Sequence, residues 1–193
     1  MTENTKSDSQ LDFKHDPSLF NFLINYFSFK DSASIPIEID ASEQAFLEDV
    51  AYGTDKLCKR FRGRQTGGTV LMCMLALYFH LKDKTVLFFS QNTMQGSHVV
   101  DTMMSLKVEH FDMIQHTKRR IYLSDGIDHP TQVRPIHFHD TFDKQRVSCA
   151  TKGLSVDYVF CDNIRHDKIE DIWNIVVPNM YTSGGKMIVN VSP

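Results

Sequence analysis

Apolar residues along this chain fall into short dense runs separated by polar breaks, and run length sets the element each predicts. Residues 85–90 (Thr-Val-Leu-Phe-Phe-Ser) are almost wholly apolar, which predicts a strand covered on both faces, as in a parallel sheet. Residues 156–161 and 186–191 have the same character, the latter after Ser183-Gly184-Gly185. Residues 69–81 are apolar all round and long enough for a helix buried against a sheet. Residues 93–108 read as a helix, 119–124 and 132–139 as two strands about a turn, and 169–177 as a helix ending before Pro178. Upstream, 17–29 reads as a short helix with Asp16 as its cap, 32–39 as an extended connector, and Ser42 with Ala45-Phe46-Leu47 as the start of another helix. Residues 57–61 are the candidate first core strand. Strands alternating with helices predict an α/β fold with a mainly parallel sheet flanked by helices.

The chain has 193 residues, enough for one domain; residues 1–16 read as a polar tail and 17–193 as the domain. An apolar share of 41% suffices for a packed core. A net charge of −3 gives no whole-chain attraction to nucleic acid, so any such contact needs a local patch. Cys58, Cys73, Cys149 and Cys161 form no C-x-x-C pair, which fits a reducing compartment. The N-terminus lacks the apolar stretch of a secretory signal, and no run is long enough to span a bilayer.

Two segments carry candidate chemistry. Arg62-Gly63-Arg64-Gln65-Thr66-Gly67-Gly68-Thr69 reads as a phosphate-binding turn whose backbone N–H groups and following helix would cradle an anion. Val156-Asp157-Tyr158-Val159-Phe160-Cys161-Asp162-Asn163 reads as a buried strand ending in a metal-binding carboxylate. Each lacks a principal residue. A P-loop carries Lys directly before its Ser/Thr, and here Gly68 precedes Thr69. An acid often follows the strand-end Asp, and here Asn163 follows Asp162. The missing lysine removes a charge-assisted phosphate contact worth roughly 1.5–3 kcal/mol. Asn163 can orient a water but cannot take its proton near neutral pH. Glu43 and Asp140 are candidate replacement bases, with no ground in sequence for choosing either. The plainer readings are a tight strand-to-helix connection at Gly67-Gly68 and a loop-capping role for Asp162.

Lys59, Arg60, Arg62 and Arg64 cluster in sequence, either as a solvated charged segment or as a basic patch for nucleotide or nucleic-acid phosphates. His137 and His139 fall on one strand face beside Asp140, but without a second ligand pair they read as an ordinary exposed face.

Together these segments resemble the ATPase domain of the large terminase subunit, the DNA-packaging motor of tailed phages. Residues 64–69 are similar to that family's R-Q-x-G-K-T loop. Residues 152–163 are similar to its R-G-x-S…D-E segment, and Asn190-Val191-Ser192-Pro193 to its T-T-x-P coupling motif. The resemblance implies a P-loop NTPase-like fold and ATP with Mg²⁺ as cofactors. It implies nucleotide contacts from Gln44, Arg64, Gln65, Thr66, Gly67, Gly68 and Thr69, with Gln44 at an adenine-contacting position. Mg²⁺ would be held at Thr69 and Asp162, catalysis would fall to Arg64, Asp162 and Asn163, and coupling to Asn190, Val191 and Ser192. Double-stranded DNA, phage packaging components or a host protein are the implied partners, in the cytoplasm of an infected bacterial cell. The coupling motif is expected to close the chain without a nuclease domain. Lys at 68 with Glu at 163 would then be expected to restore hydrolysis. The alternative is a pseudo-ATPase binding module that docks on nucleic acid or on a motor.

Overall fold

The computed structural model describes residues 19, 23, 27–31, 41–61, 67–108, 112–117, 120–124, 135–180 and 184–192. Nine strands and five helices follow among them. They are β1 (Phe27–Phe29), α1 (Ala41–Tyr52), β2 (Leu57–Phe61), α2 (Gly68–Leu81), β3 (Val86–Ser90), α3 (Thr93–Ser105) and β4 (Leu106–Val108). Then come β5 (Asp112–Thr117), β6 (Arg120–Ser124), β7 (Ile136–His139), α4 (Lys144–Thr151), β8 (Tyr158–Arg165), α5 (His166–Met180) and β9 (Lys186–Ser192).

Seven strands form the main sheet in the order β2-β9-β8-β3-β7-β6-β5. The first five are mutually parallel, and β6 and β5 add an antiparallel edge. Strand alternation divides the core in two. Cys58, Val86, Phe88, Phe138, Phe160 and Ile188 face α1, α2 and α3. Leu87, Phe89, Val159, Cys161, Met187 and Val189 face α4 and α5. Helix α2 is buried from Leu71 through Leu81, as its all-round apolarity requires.

Several elements differ from the sequence expectation. The helix after β3 ends at Ser105, and Leu106–Val108 turns into a strand antiparallel to β1. Phe27–Phe29, expected at the end of a helix, is that partner strand. Both changes come from a long-range pairing that local pattern does not encode. Strand β5 and helix α4 were not anticipated; α4 starts where the Asp143 carboxylate accepts from the Arg146 N–H at 3.0 Å. Helix α5 runs through Pro178 to Met180 instead of stopping before it. Pro178 is exposed, so the carbonyl freed by its missing N–H lies on the solvent side. Fully buried Met180 anchors the last turn, and the Asn179 side-chain amide donates to the Ile175 carbonyl at 3.2 Å. No described helix is long and apolar enough to cross a membrane.

Candidate functional site

A row of polar side chains crosses the sheet near the carboxyl ends of its parallel strands. Register pairs Arg60 of β2 with Asn190 of β9, and Asp162 of β8 with Ser90 of β3. All four share the face that carries Cys58, Ile188, Phe160 and Phe88, so they form a polar rim on that apolar layer. Arg60, Asp162 and Ser90 are buried, and Asn190 is half-buried. Buried charges need partners, and each finds one here.

The Arg60 Nε donates to Glu43 Oε1 at 2.7 Å, and both side chains are nearly inaccessible, 3% and 1% exposed. The Arg60 Nη1 donates to Asn190 Oδ1 at 2.9 Å. That bond fixes the orientation of the Asn190 amide, because a guanidinium can only donate. The amide's Nδ2 is thereby turned to Asp162, donating to Oδ1 at 2.8 Å. The Thr69 hydroxyl donates to the other carboxylate oxygen, Oδ2, at 2.8 Å. One chain of contacts thus runs from α1 through β2, β9 and β8 to the first turn of α2.

The start of α2 is shaped for an anion. Gly67 is left-handed, with φ of 73°, and as the N-cap residue it has no side chain with which to cap the helix. The first N–H groups of a helix have no intrahelical partners and carry its partial positive charge. Gly68 is constrained by contact instead. A Cβ at that position would lie 2.6 Å from Arg60 Nη1 and 2.7 Å from Asn190 Nδ2.

Strand β8 bulges at its functional end. Cys161 pairs with Val189 and Ile164 with Val191, so Asp162 and Asn163 together oppose Asn190 alone. Asn163 takes φ of 57°, a left-handed conformation that Asn tolerates better than most side chains. Bulges of this kind re-aim side chains.

Burial raises the Asp162 pKa above the ordinary carboxylate value; hydrogen bonds from Asn190 and Thr69, and the charges of His98 and Arg60, pull the other way. Keeping it ionised therefore costs stability, a cost that a bound cation would offset. A hydroxyl and a carboxylate converging at the start of a helix suit Mg²⁺, which takes few protein ligands and completes its shell with phosphate oxygens and water. Thr69 and Asp162 would hold it, and its charge would neutralise that of the phosphates.

Not every sequence candidate joins this site. Arg62, Gly63, Arg64, Gln65 and Thr66 lie outside the described residues, as do Pro193 and the 1–16 tail. Gln44 is exposed and donates to Glu48 at 3.1 Å, one residue from buried Glu43. Val191 is packed on the opposite face of the sheet, and Ser192 pairs with Arg165. The four-residue basic patch needs correction. Lys59 is exposed, but Arg60 points to the other face and is buried against Glu43, so the two cannot share one surface. Glu43 is held by the Arg60 ion pair. Asp140 accepts from Thr93 Oγ1 at 2.8 Å on an exposed rim. His139 stacks on Phe89, with 5.2 Å between ring centroids, and no metal-holding group of His, Cys, Asp or Glu occurs among the described residues. The Glu43–Arg60 pair escaped sequence reading because nothing local links a helix carboxylate to a strand guanidinium 17 positions later.

A mainly parallel sheet flanked by helices, with a single strand between β2 and the Asp162 strand and a helix starting at Gly68, makes this a P-loop NTPase-like α/β domain. The ATPase domain of the Thermus phage P74-26 large terminase shares this fold. It aligns with a TM-score of 0.58 at 14% identity, over 81% of this chain and 65% of that domain. A mutant of the same domain aligns at 0.50 and 13%, over 80% of this chain and 70% of that one. The large terminase of a second thermophilic bacteriophage aligns at 0.53 and 11%, over 79% of this chain and 38% of that one. At these identities the likeness is one of fold, and this chain spans less than two thirds of the first relative's length. No protein-family profile matches the chain, and no curated protein matches it in sequence.

Proposed function

We propose that this chain is a terminase-like ATPase domain of viral DNA packaging, acting in the cytoplasm of an infected bacterial cell, with weak or absent ATP hydrolysis. The observation that carries the reading is the 2.8 Å contact between Thr69, at the start of α2, and Asp162, on a strand two places away in the sheet. That juxtaposition supports a shared Mg²⁺–triphosphate site at the glycine turn. The fold of the phage terminase domains supports the packaging context.

The chemistry of the site supports slow turnover. Catalysis of phosphoryl transfer rests on positioning and on charge stabilisation. Position 68 carries no cation. Asn163 is able to orient an attacking water but not to accept its proton, and Glu43 is buried in an ion pair. Calorimetry with Mg²⁺–ATP and a phosphate-release assay test the reading. Weak binding with turnover far below about 1 s⁻¹ is expected, and turnover in the ordinary enzyme range would show that another group supplies the base.

A second reading is a pseudo-ATPase module that docks on nucleic acid or on a motor component. The commitment of both Asp162 oxygens and of Glu43 within the network favours it. Charge reversal at Lys59, Arg62 and Arg64, leaving buried Arg60 intact, should abolish DNA retardation at low salt. Retardation that persists, or none in the parent, turns the search toward a protein partner.

A further inference from the structure

We infer that Arg60 is the cation of an anion site at the start of α2, supplying from strand β2 the charge that Gly68 cannot carry, and that Gly68 is glycine because Arg60 is there. The inference rests on the polyphosphate reading of the site and names one of its ligand contacts.

The geometry is specific. An ideal Cβ on Gly68 would lie 2.6 Å from Arg60 Nη1, nearer than real Cβ atoms approach any neighbour. The guanidinium therefore occupies the space where a side chain at position 68 would begin. It is no loosely placed side chain: it is 3% exposed, gripped at Nε by Glu43 and at Nη1 by Asn190. Glu43 holds Nε, and Nη1, which donates to Asn190, is the nitrogen that lies against Gly68. A charge fixed in a water-poor site acts more strongly than one in solvent. It also needs no reordering when an anion arrives, whereas a lysine would lose side-chain freedom.

The same guanidinium reaches the metal-side carboxylate through one intermediary. Asn190 accepts from Arg60 and donates to Asp162. Anion cradle and carboxylate are thus oriented by one residue, which a lysine on the helix would not do. The ligand class is the polyphosphate of a nucleotide, and pyrophosphate with Mg²⁺ is its smallest probe.

The test has two arms, both on the whole chain. In the first, Mg²⁺–pyrophosphate is titrated calorimetrically into the wild type, into Arg60→Lys, and into the double variant Glu43→Gln/Arg60→Met. The double variant removes both buried charges together, keeps the net charge and avoids an orphaned carboxylate. It is expected to lose affinity roughly tenfold to a hundredfold, with Arg60→Lys retaining most of it. Equal affinity in the folded double variant overturns the inference while leaving the polyphosphate reading intact. A wild type that binds no pyrophosphate overturns the polyphosphate reading and, with it, the ligand assigned to Arg60.

The second arm needs no ligand. Gly68→Ala improves helix propensity and would ordinarily stabilise. Here it is expected to lower the thermal midpoint in the wild type, where the new methyl meets both Arg60 Nη1 and Asn190 Nδ2, and to lower it by clearly less in the double variant, where only the Asn190 contact remains. An equal drop in both backgrounds, or a raised midpoint in the wild type, means that Arg60 does not hold that space, and overturns the inference whatever the calorimetry shows.

Discussion

The two faces of the sheet meet the same strands at the same height and do opposite things. Toward α2, the carboxyl ends of β2, β9, β8 and β3 present Arg60, Asn190, Asp162 and Ser90. Toward α5, neighbouring residues of β9, β8 and β3 present Val189, Val191, Cys161 and Phe89, packed into an apolar layer. The polar face is held by directional contacts between 2.7 and 2.9 Å, and the apolar face by packing alone. A one-residue register slip in β9 would exchange them, placing Asn190 in the α5 core and Val189 or Val191 beside Asp162. The site is thus a property of register as much as of residue type.

The difference predicts how each face breaks. The largest loss should follow from Arg60→Met alone, which leaves Glu43 charged and buried without its partner; about 3–5 kcal/mol of unfolding free energy is expected by denaturant titration. Adding Glu43→Gln should return much of it, because paired removal spares the orphaned charge. On the apolar face, Met187→Ala at a fully buried site should cost about 2–5 kcal/mol through transfer and cavity terms, with no such rescue from any polar substitution nearby.

Next in size is the attempt to rebuild the missing lysine. Gly68→Lys must displace Arg60 or Asn190, so it should cost about 1–3 kcal/mol in thermal or chemical melts, as overpacking does. Asn163→Glu should cost about 1–2 kcal/mol, because φ of 57° suits Asn and Gly better than a longer side chain. Asn163→Gly should be close to neutral. The simple restoration of Lys and Glu expected from sequence therefore meets a steric obstacle at one position and a backbone obstacle at the other. A double restoration variant as stable as the wild type would remove both objections.

The smallest effect is one of pH. Because burial raises the Asp162 pKa, its contribution to stability is fully present below the unfolded carboxylate pKa of about 3.9 and is lost as pH rises through the higher folded value. The stability of the wild type relative to Asp162→Asn should therefore fall as pH climbs from about 4 toward neutrality. Mg²⁺ should recover part of that loss in the wild type only. A relative stability that rises over this interval would mean that Asn190 and Thr69 outweigh burial.

Much of the architecture was legible because hydrophobic runs are local. Strands β3, β8 and β9 and helix α2 announce themselves by dense apolar residues bounded by turns, and β2 was found despite its charges. Thr69 and Asp162 were likewise picked out in sequence and meet in the fold, although Asp162, expected at a strand end, lies within β8 at its bulge. The β1–β4 ribbon, β5 and the end of α3 were not, because a short strand is chosen by the partner it finds. The continuation of α5 past Pro178 was decided by solvent on one side of that residue and a buried Met180 beyond it.

Sequence by itself determined the alternation of elements, the apolar layers and the two breaks in the expected motif at Gly68 and Asn163. Only the tertiary structure decided what those breaks mean. Strand order and register are long-range properties, and they bring Arg60, Asn190 and Asp162 into one row from positions up to 130 residues apart. In sequence, Arg60 is one of four clustered basic residues and Gly68 reads as a loss. In the fold, Arg60 turns away from Lys59, is locked to Glu43 and fills the volume that a side chain at position 68 would need.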